Sequence, residues 1–220
     1  MRLSKTLQNI VLSSVCAVSA MSAQAATNLL INGGFEHPAS NFVNYLAPAG
    51  FTGINGWITT GNGVHWMTES LGYFTDPSGK DAVDLADYAR ANGGIKQSFA
   101  TTIGAIYSVS FAGMTFQNAG NLDGRGEITA MIDNVAIQTY QLVNQSSASN
   151  AWQNFGFNFT ATSALTTLEF RHAPAGENYS FLNDAAVFAV PVPEPETYAM
   201  LLAGLGLVGF TVRRRAASAV

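Results

Sequence analysis

Few side chains in this sequence are arranged for catalysis. Three histidines, His37, His65 and His172, stand singly, with no metal-ligand spacing. The chain has no Gly-x-Ser-x-Gly elbow, no His-Glu-x-x-His and no phosphate-binding glycine loop. Acidic pairs exist, such as Asp81 and Asp84, but a glycosidase holds two carboxylates across a scissile bond in a cleft, which spacing alone does not establish. Noncovalent recognition is better supplied. Trp66, Tyr73, Tyr88 and Tyr45 offer aromatic faces that stack on the C–H faces of sugars, and Asp84, Arg90, Gln117 and Arg125 offer polar partners. Loops at 37–55, 69–80 and 116–126 are long enough to build a cleft around them.

The elements that must position these residues read as short strands. Asn28 to Ile31 is an apolar stretch before the Asn32-Gly33-Gly34 turn, and Gly56 to Thr59 and Val64 to Met67 flank Gly61-Asn62-Gly63. Within Val64 to Met67 either alternate face is open to burial, so Trp66 is as readily core as surface. Apolar residues alternate in Asp81 to Leu85 and in Tyr107 to Phe111, and Phe155, Phe157 and Phe159 alternate with Asn154, Gly156 and Asn158. Asp133-Asn134 joins Ile128 to Ile132 with Val135 to Ile137 as a hairpin. Leu168 and Phe170, and then Asp184 to Val190, supply the last strands. No amphipathic helix is expected between residues 27 and 190. The prediction is an all-β antiparallel two-sheet β-sandwich of the jelly-roll kind.

Both ends carry addresses. Arg2 and Lys5 precede an apolar run from Ile10 to Ala20, and Ala23-Gln24-Ala25 offers small residues for cleavage. Residues 1–25 therefore read as a signal peptide. Cys16, the chain's one cysteine, lies inside it, so the exported domain has no disulfide to hold it. At the other end Pro193-Glu194-Pro195 is followed by the uncharged run Thr197 to Val212, then Arg213, Arg214 and Arg215. At helical rise that run reaches about 24 Å, the short edge of a bilayer span. The arginines belong on the cytoplasmic side, which leaves the preceding domain outside. This tripartite tail resembles the PEP-CTERM sorting signal of Gram-negative bacteria, which implies cutting by an exosortase and release to the cell surface or exopolysaccharide matrix. The expected division is signal peptide 1–25, sandwich 26–190, sorting signal with a transmembrane helix 191–215 and tail 216–220.

Between the targeting ends the sequence has five basic and twelve acidic residues, a net charge of −7. That balance argues against nucleic acid and anionic membrane surfaces and suits cations and neutral glycans. Several islands in order resemble galactose-binding-like jelly rolls, carbohydrate-binding modules among them, and most of all the family catalogued as domain of unknown function 642. They are Asn28 to Glu36, Gly56-Trp57, Asp81 to Leu85, Gly94 to Phe99, Gly104 to Phe111, Trp152 to Phe159, Thr166 to Phe170 and Leu182 to Ala185. The resemblance implies core roles for Trp57 and Trp152. It also implies a structural calcium ion between Glu36 and Asp184, with Asn183 standing where the family often has a second carboxylate. The function expected is noncatalytic polysaccharide binding outside the cell, with Trp66, Tyr73, Tyr88, Asp84 and Arg90, picked out by residue type, as the glycan-binding candidates. A self-associating matrix protein without a sugar site is the alternative, and a hydrolase a third reading.

Overall fold

The computed structural model describes residues 27–39, 42–72, 74, 81–86, 92–115, 125–143, 152–172, 179–191 and 195–217. Among these, eleven strands form two antiparallel sheets. They are β1 (Asn44–Ala47), β2 (Ile58–Gly61), β3 (Val64–Thr68), β4 (Asp81–Asp84), β5 (Gly93–Ala100), β6 (Ile106–Met114), β7 (Arg125–Ile132), β8 (Val135–Val143), β9 (Gln153–Thr160), β10 (Leu165–His172) and β11 (Phe181–Ala189). The first sheet runs β1-β3-β4-β11-β6-β9 and the second β2-β5-β10-β7-β8. A single 3-10 turn, Glu69–Leu71, interrupts the strands, and a helix α1 (Pro195–Ala217) follows them. The sandwich expected from alternation is therefore present.

The core lies between the sheets. Val109, Phe111, Leu182 and Val187 of the first sheet meet Ile95, Ile128, Leu168 and Phe170 of the second, all nearly fully buried. Asp133 and Asn134, at φ +49° and +66°, make the two-residue turn of the β7–β8 hairpin. Positive φ at both positions matches the right-handed strand twist. Asp133 also accepts the Thr167 N–H at 2.8 Å, which fixes the hairpin against β10.

Two segments depart from expectation. Asn44–Ala47, predicted as loop, is an edge strand on β3. Asn28 to Ile31, predicted as a strand, has no strand ladder; its backbone is held mainly by side chains. Gln97 accepts the Ile31 N–H at 2.6 Å and donates to the Ile31 carbonyl at 2.9 Å. Asn28 Oδ1 accepts from Val187 N at 2.9 Å. Asn32 and Phe35 take left-handed backbone at φ +53° and +57°, which turns the chain across β11 and drives Phe35 into the core beside Trp57. Gly33 passes so close that any Cβ would collide with the Ala185 carbonyl.

Candidate functional site

Strand parity separates two outer faces. On β6 the odd residues Tyr107, Val109 and Phe111 are buried inward, so Ser108 and Ser110 point outward. In register beside them stand Asn154, Gly156 and Asn158 of β9 and Ala186 and Phe188 of β11. Asn154, Asn158 and Ser110 are exposed, and Ser108 and Phe188 half-buried. This patch is amides, hydroxyls and one aromatic ring, without a charge. The outer face of the second sheet is different. Glu169 there is 2% exposed, accepts from Thr60 Oγ1 at 2.6 Å and pairs with Arg171 at 2.6 Å, and Lys96 lies opposite it in register.

The carboxylates and ring residues named from sequence fall in several places. Asp84 is fully buried at the end of β4, and its Oδ1 accepts from Ala86 N at 3.0 Å and Ser180 N at 2.9 Å. Ser180 Oγ lies 3.0 Å from His172 Nδ1 and also bonds the Glu127 backbone at 3.1 and 3.2 Å. A serine, a histidine and an aspartate thus meet, but the serine is wholly buried and its hydroxyl is engaged. A nucleophilic triad needs an open hydroxyl with the carboxylate orienting the imidazole. The trio instead bolts β4 and β11 to β7 and β10.

Trp66 is corrected from surface platform to core: it is 3% exposed and donates from its ring N–H to the Phe35 carbonyl at 2.7 Å. Its neighbours are the His37 and Phe42 rings, stacked on each other at 4.1 Å. Asp84 likewise leaves the glycan set, because no face of it reaches solvent. Trp57 is core, with its N–H on the Asn32 carbonyl at 2.9 Å, and Trp152 packs edge-on against Phe74 in a smaller cluster. Tyr45 is 45% exposed and tilted against Phe51 at 5.0 Å. Arg125 begins β7. Tyr73, Tyr88, Arg90, Gln117, the cleavage residues Ala23 and Ala25, and Pro193 and Glu194 lie outside the described residues. Pro195 opens α1, which also contains Arg213, Arg214 and Arg215. Among the described residues no helix is long and apolar enough to cross a membrane.

The segment crossing β11 brings Glu36 toward Asn183 rather than to the Asp184 paired with it from sequence. Glu36 Oε1 and Asn183 Oδ1 both lie 3.7 Å from the point where a Cβ on Gly34 would sit. Asp184 follows in a bulge, exposed and at φ +50°. The donors are hard oxygens of the type calcium takes. Among the described residues no three His, Cys, Asp or Glu side chains gather for a metal, so an ion here would draw on amide and backbone oxygens beside Glu36. The uncharged patch on β6, β9 and β11 was missed from sequence. Its signal was the Asn-Phe alternation of β9, which marks two faces without telling which sheet owns them.

Among solved structures the chain is similar to a family 61 carbohydrate-binding module in complex with β-1,4-galactotriose, at 16% identity and a TM-score of 0.47, covering 75% of this chain and 100% of that one. It is similar to the CBM22-1 xylan-binding domain from Paenibacillus barcinonensis Xyn10C, at 13% identity and TM-score 0.45, covering 78% and 100%. A family 35 module from Clostridium thermocellum matches at 11% identity and TM-score 0.42, covering 67% and 98%. No curated protein matches the chain. Residues 191–215 match the PEP-CTERM protein-sorting motif, which marks export through a membrane-anchored precursor. Residues 28–182, most of the chain and nearly all of the sandwich, match the family described as a protein of unknown function (DUF642), and the chain belongs to that family.

Proposed function

We propose that this protein binds a neutral polysaccharide at the cell surface or in the extracellular matrix, without catalysis, after an exosortase has processed its tail. The supporting observation is the uncharged outer patch formed by Ser108 and Ser110 of β6, Asn154 and Asn158 of β9 and Phe188 of β11. Amides and hydroxyls donate and accept to sugar hydroxyls, and an aromatic ring covers sugar C–H groups. Amide and hydroxyl partners meet a neutral glycan with no buried charge to desolvate. In this reading α1 holds the precursor in the inner membrane only until cleavage. Calcium, where present, would sit between Glu36 and the Asn183–Asp184 bulge and fix the segment that crosses β11, acting on structure rather than on the sugar.

The test is retention of the protein recovered from the cell exterior on the producing organism's own exopolysaccharide, first with calcium and then with EDTA. Saturable retention is expected. Phe188→Ala should weaken it about tenfold, and Lys96→Ala on the opposite face should leave it unchanged. Absence of retention, or equal retention by Phe188→Ala, would overturn the reading.

A further inference from the structure

A sandwich has four edge strands, and open edges recruit further strands unless they are protected. Here β1 and β2 are only four residues long. β8 is longer, but its pairing with β7 is irregular between Ala130 and Met131, and such a bulge bends an edge away. β9 differs: eight residues, Gln153–Thr160, in unbroken register with β6, with no charge and no proline.

The direction of its outer hydrogen-bonding groups follows from the ladder. Val190 N donates to the Ile106 carbonyl at 2.9 Å, so the even residues of β6 address β11 and the odd ones address β9. Phe155 and Phe157, opposite Phe111 and Val109, therefore bond inward to β6. Asn154, Gly156 and Asn158 point their N–H and C=O groups out of the sheet. The Tyr140 hydroxyl, reaching Gly156 O at 3.2 Å from the other sheet, confirms that direction.

The outward sequence is a palindrome, Asn154-Phe155-Gly156-Phe157-Asn158. From this we infer that β9 pairs with β9 of a second copy, antiparallel about a two-fold axis through Gly156. Only an identical strand meets each residue with its like or its mate. Gly156 faces the partner's Gly156 and exchanges both backbone bonds, its carbonyl accepting the partner's N–H on the lone pair that the Tyr140 hydroxyl leaves. Asn154 faces the partner's Asn158, amide to amide. Phe155 faces the partner's Phe157, so that two half-buried rings on each side cover one another. An isologous contact of this kind closes at two copies rather than growing into a fibre. It joins two six-stranded sheets into one, and the patch proposed above becomes continuous across both copies.

Sedimentation equilibrium of the protein recovered from the cell exterior tests this. A dimer is expected at micromolar concentration. Asn154→Lys with Asn158→Lys sets two like-charge pairs across the axis and should weaken dimerisation about tenfold or more. Asn154→Asp with Asn158→Lys sets opposite charges on the same positions and should keep the dimer. Both substituted side chains are solvent-exposed, and an unchanged thermal transition checks that the fold is kept. A wild-type monomer up to about 100 µM, or a dimer indifferent to both double variants, would overturn the inference.

Discussion

Tyr140 is the described residue whose ionisation the fold visibly shifts. It is 6% exposed, its ring lies 5.1 Å from both Phe111 and Phe155, and its hydroxyl donates to Gly156 O at 3.2 Å. Burial disfavours the phenolate and pushes its pKa above the ordinary 10.0. The folded state then holds the proton more tightly than the unfolded chain. The stabilisation is complete below the unfolded value and is lost as pH rises through the folded one. The urea midpoint of the wild type should therefore fall more steeply above pH 10.0 than that of Tyr140→Phe. The variant itself should lose about 0.5–1.5 kcal/mol at neutral pH from the missing hydrogen bond; parallel pH profiles would contradict the assignment. The sequence was readable at this scale for residue types and not for depth. Trp66 looked available because Val64 to Met67 fits either face. Three-dimensional facts decided it: the Phe35 carbonyl that takes its N–H, and the His37 and Phe42 rings that pack on it.

At the scale of elements, alternation was a reliable guide where one face is wet. β6, β9 and β10 sit where their apolar periods predicted, and the Asp133-Asn134 turn joins β7 to β8 as expected. It failed where other groups replace the ladder. Asn28 to Ile31 look like a strand because they are apolar, but apart from one bond of Leu29 to Val187 their backbone is met by the Gln97 and Asn28 side chains, and the tryptophan N–H groups take carbonyls of the turn that follows. Nothing local in the sequence signals that Gln97, sixty-six positions away, is the partner. β1 was missed because four residues bounded by Pro48 carry too short a pattern to stand out from loop. This crossing segment is also where a calcium ion would act. Binding at about a hundred times its Kd would add about 2.7 kcal/mol. Removing the ion with EDTA should then lower the melting temperature by roughly 5–10 °C, and Glu36→Gln should reduce that response. A melting temperature indifferent to EDTA removes calcium from the segment. Gly33→Ala should be far more damaging than either, since its Cβ meets the Ala185 backbone and neither chain has room to yield.

Across the described residues, charge is unevenly placed. The strands of the second sheet carry Lys96, Arg125, Glu127, Glu169 and Arg171, and β4 and β11 carry Asp81, Asp84 and Asp184, while the outer patch of β6 and β9 is neutral. The basic triplet lies apart, at the end of α1. The described part of that helix is apolar all round, with Met200, Leu201, Leu202, Leu205, Leu207, Val208 and Phe210 each 59–69% exposed. A helix apolar on every side has no aqueous face. Its 23 residues span about 35 Å, including the charged turn at its end. The sorting motif marks a membrane-anchored precursor, and the exposed apolar surface of α1 bears on the processing proposed above. Replacing Pro193, Glu194 and Pro195 together by alanine should remove the cut without touching the sandwich. The chain would then accumulate in the inner-membrane fraction, lighter than the full sequence only by any N-terminal cleavage, while the exterior is depleted. Replacing Arg213, Arg214 and Arg215 by glutamine should act differently, loosening orientation in the membrane rather than recognition of the cut site. Cell fractionation with intact-mass measurement separates the two. Undiminished release of the alanine variant would mean that the chain reaches the outside by a route independent of the motif, and the helix would then need another partner to cover it.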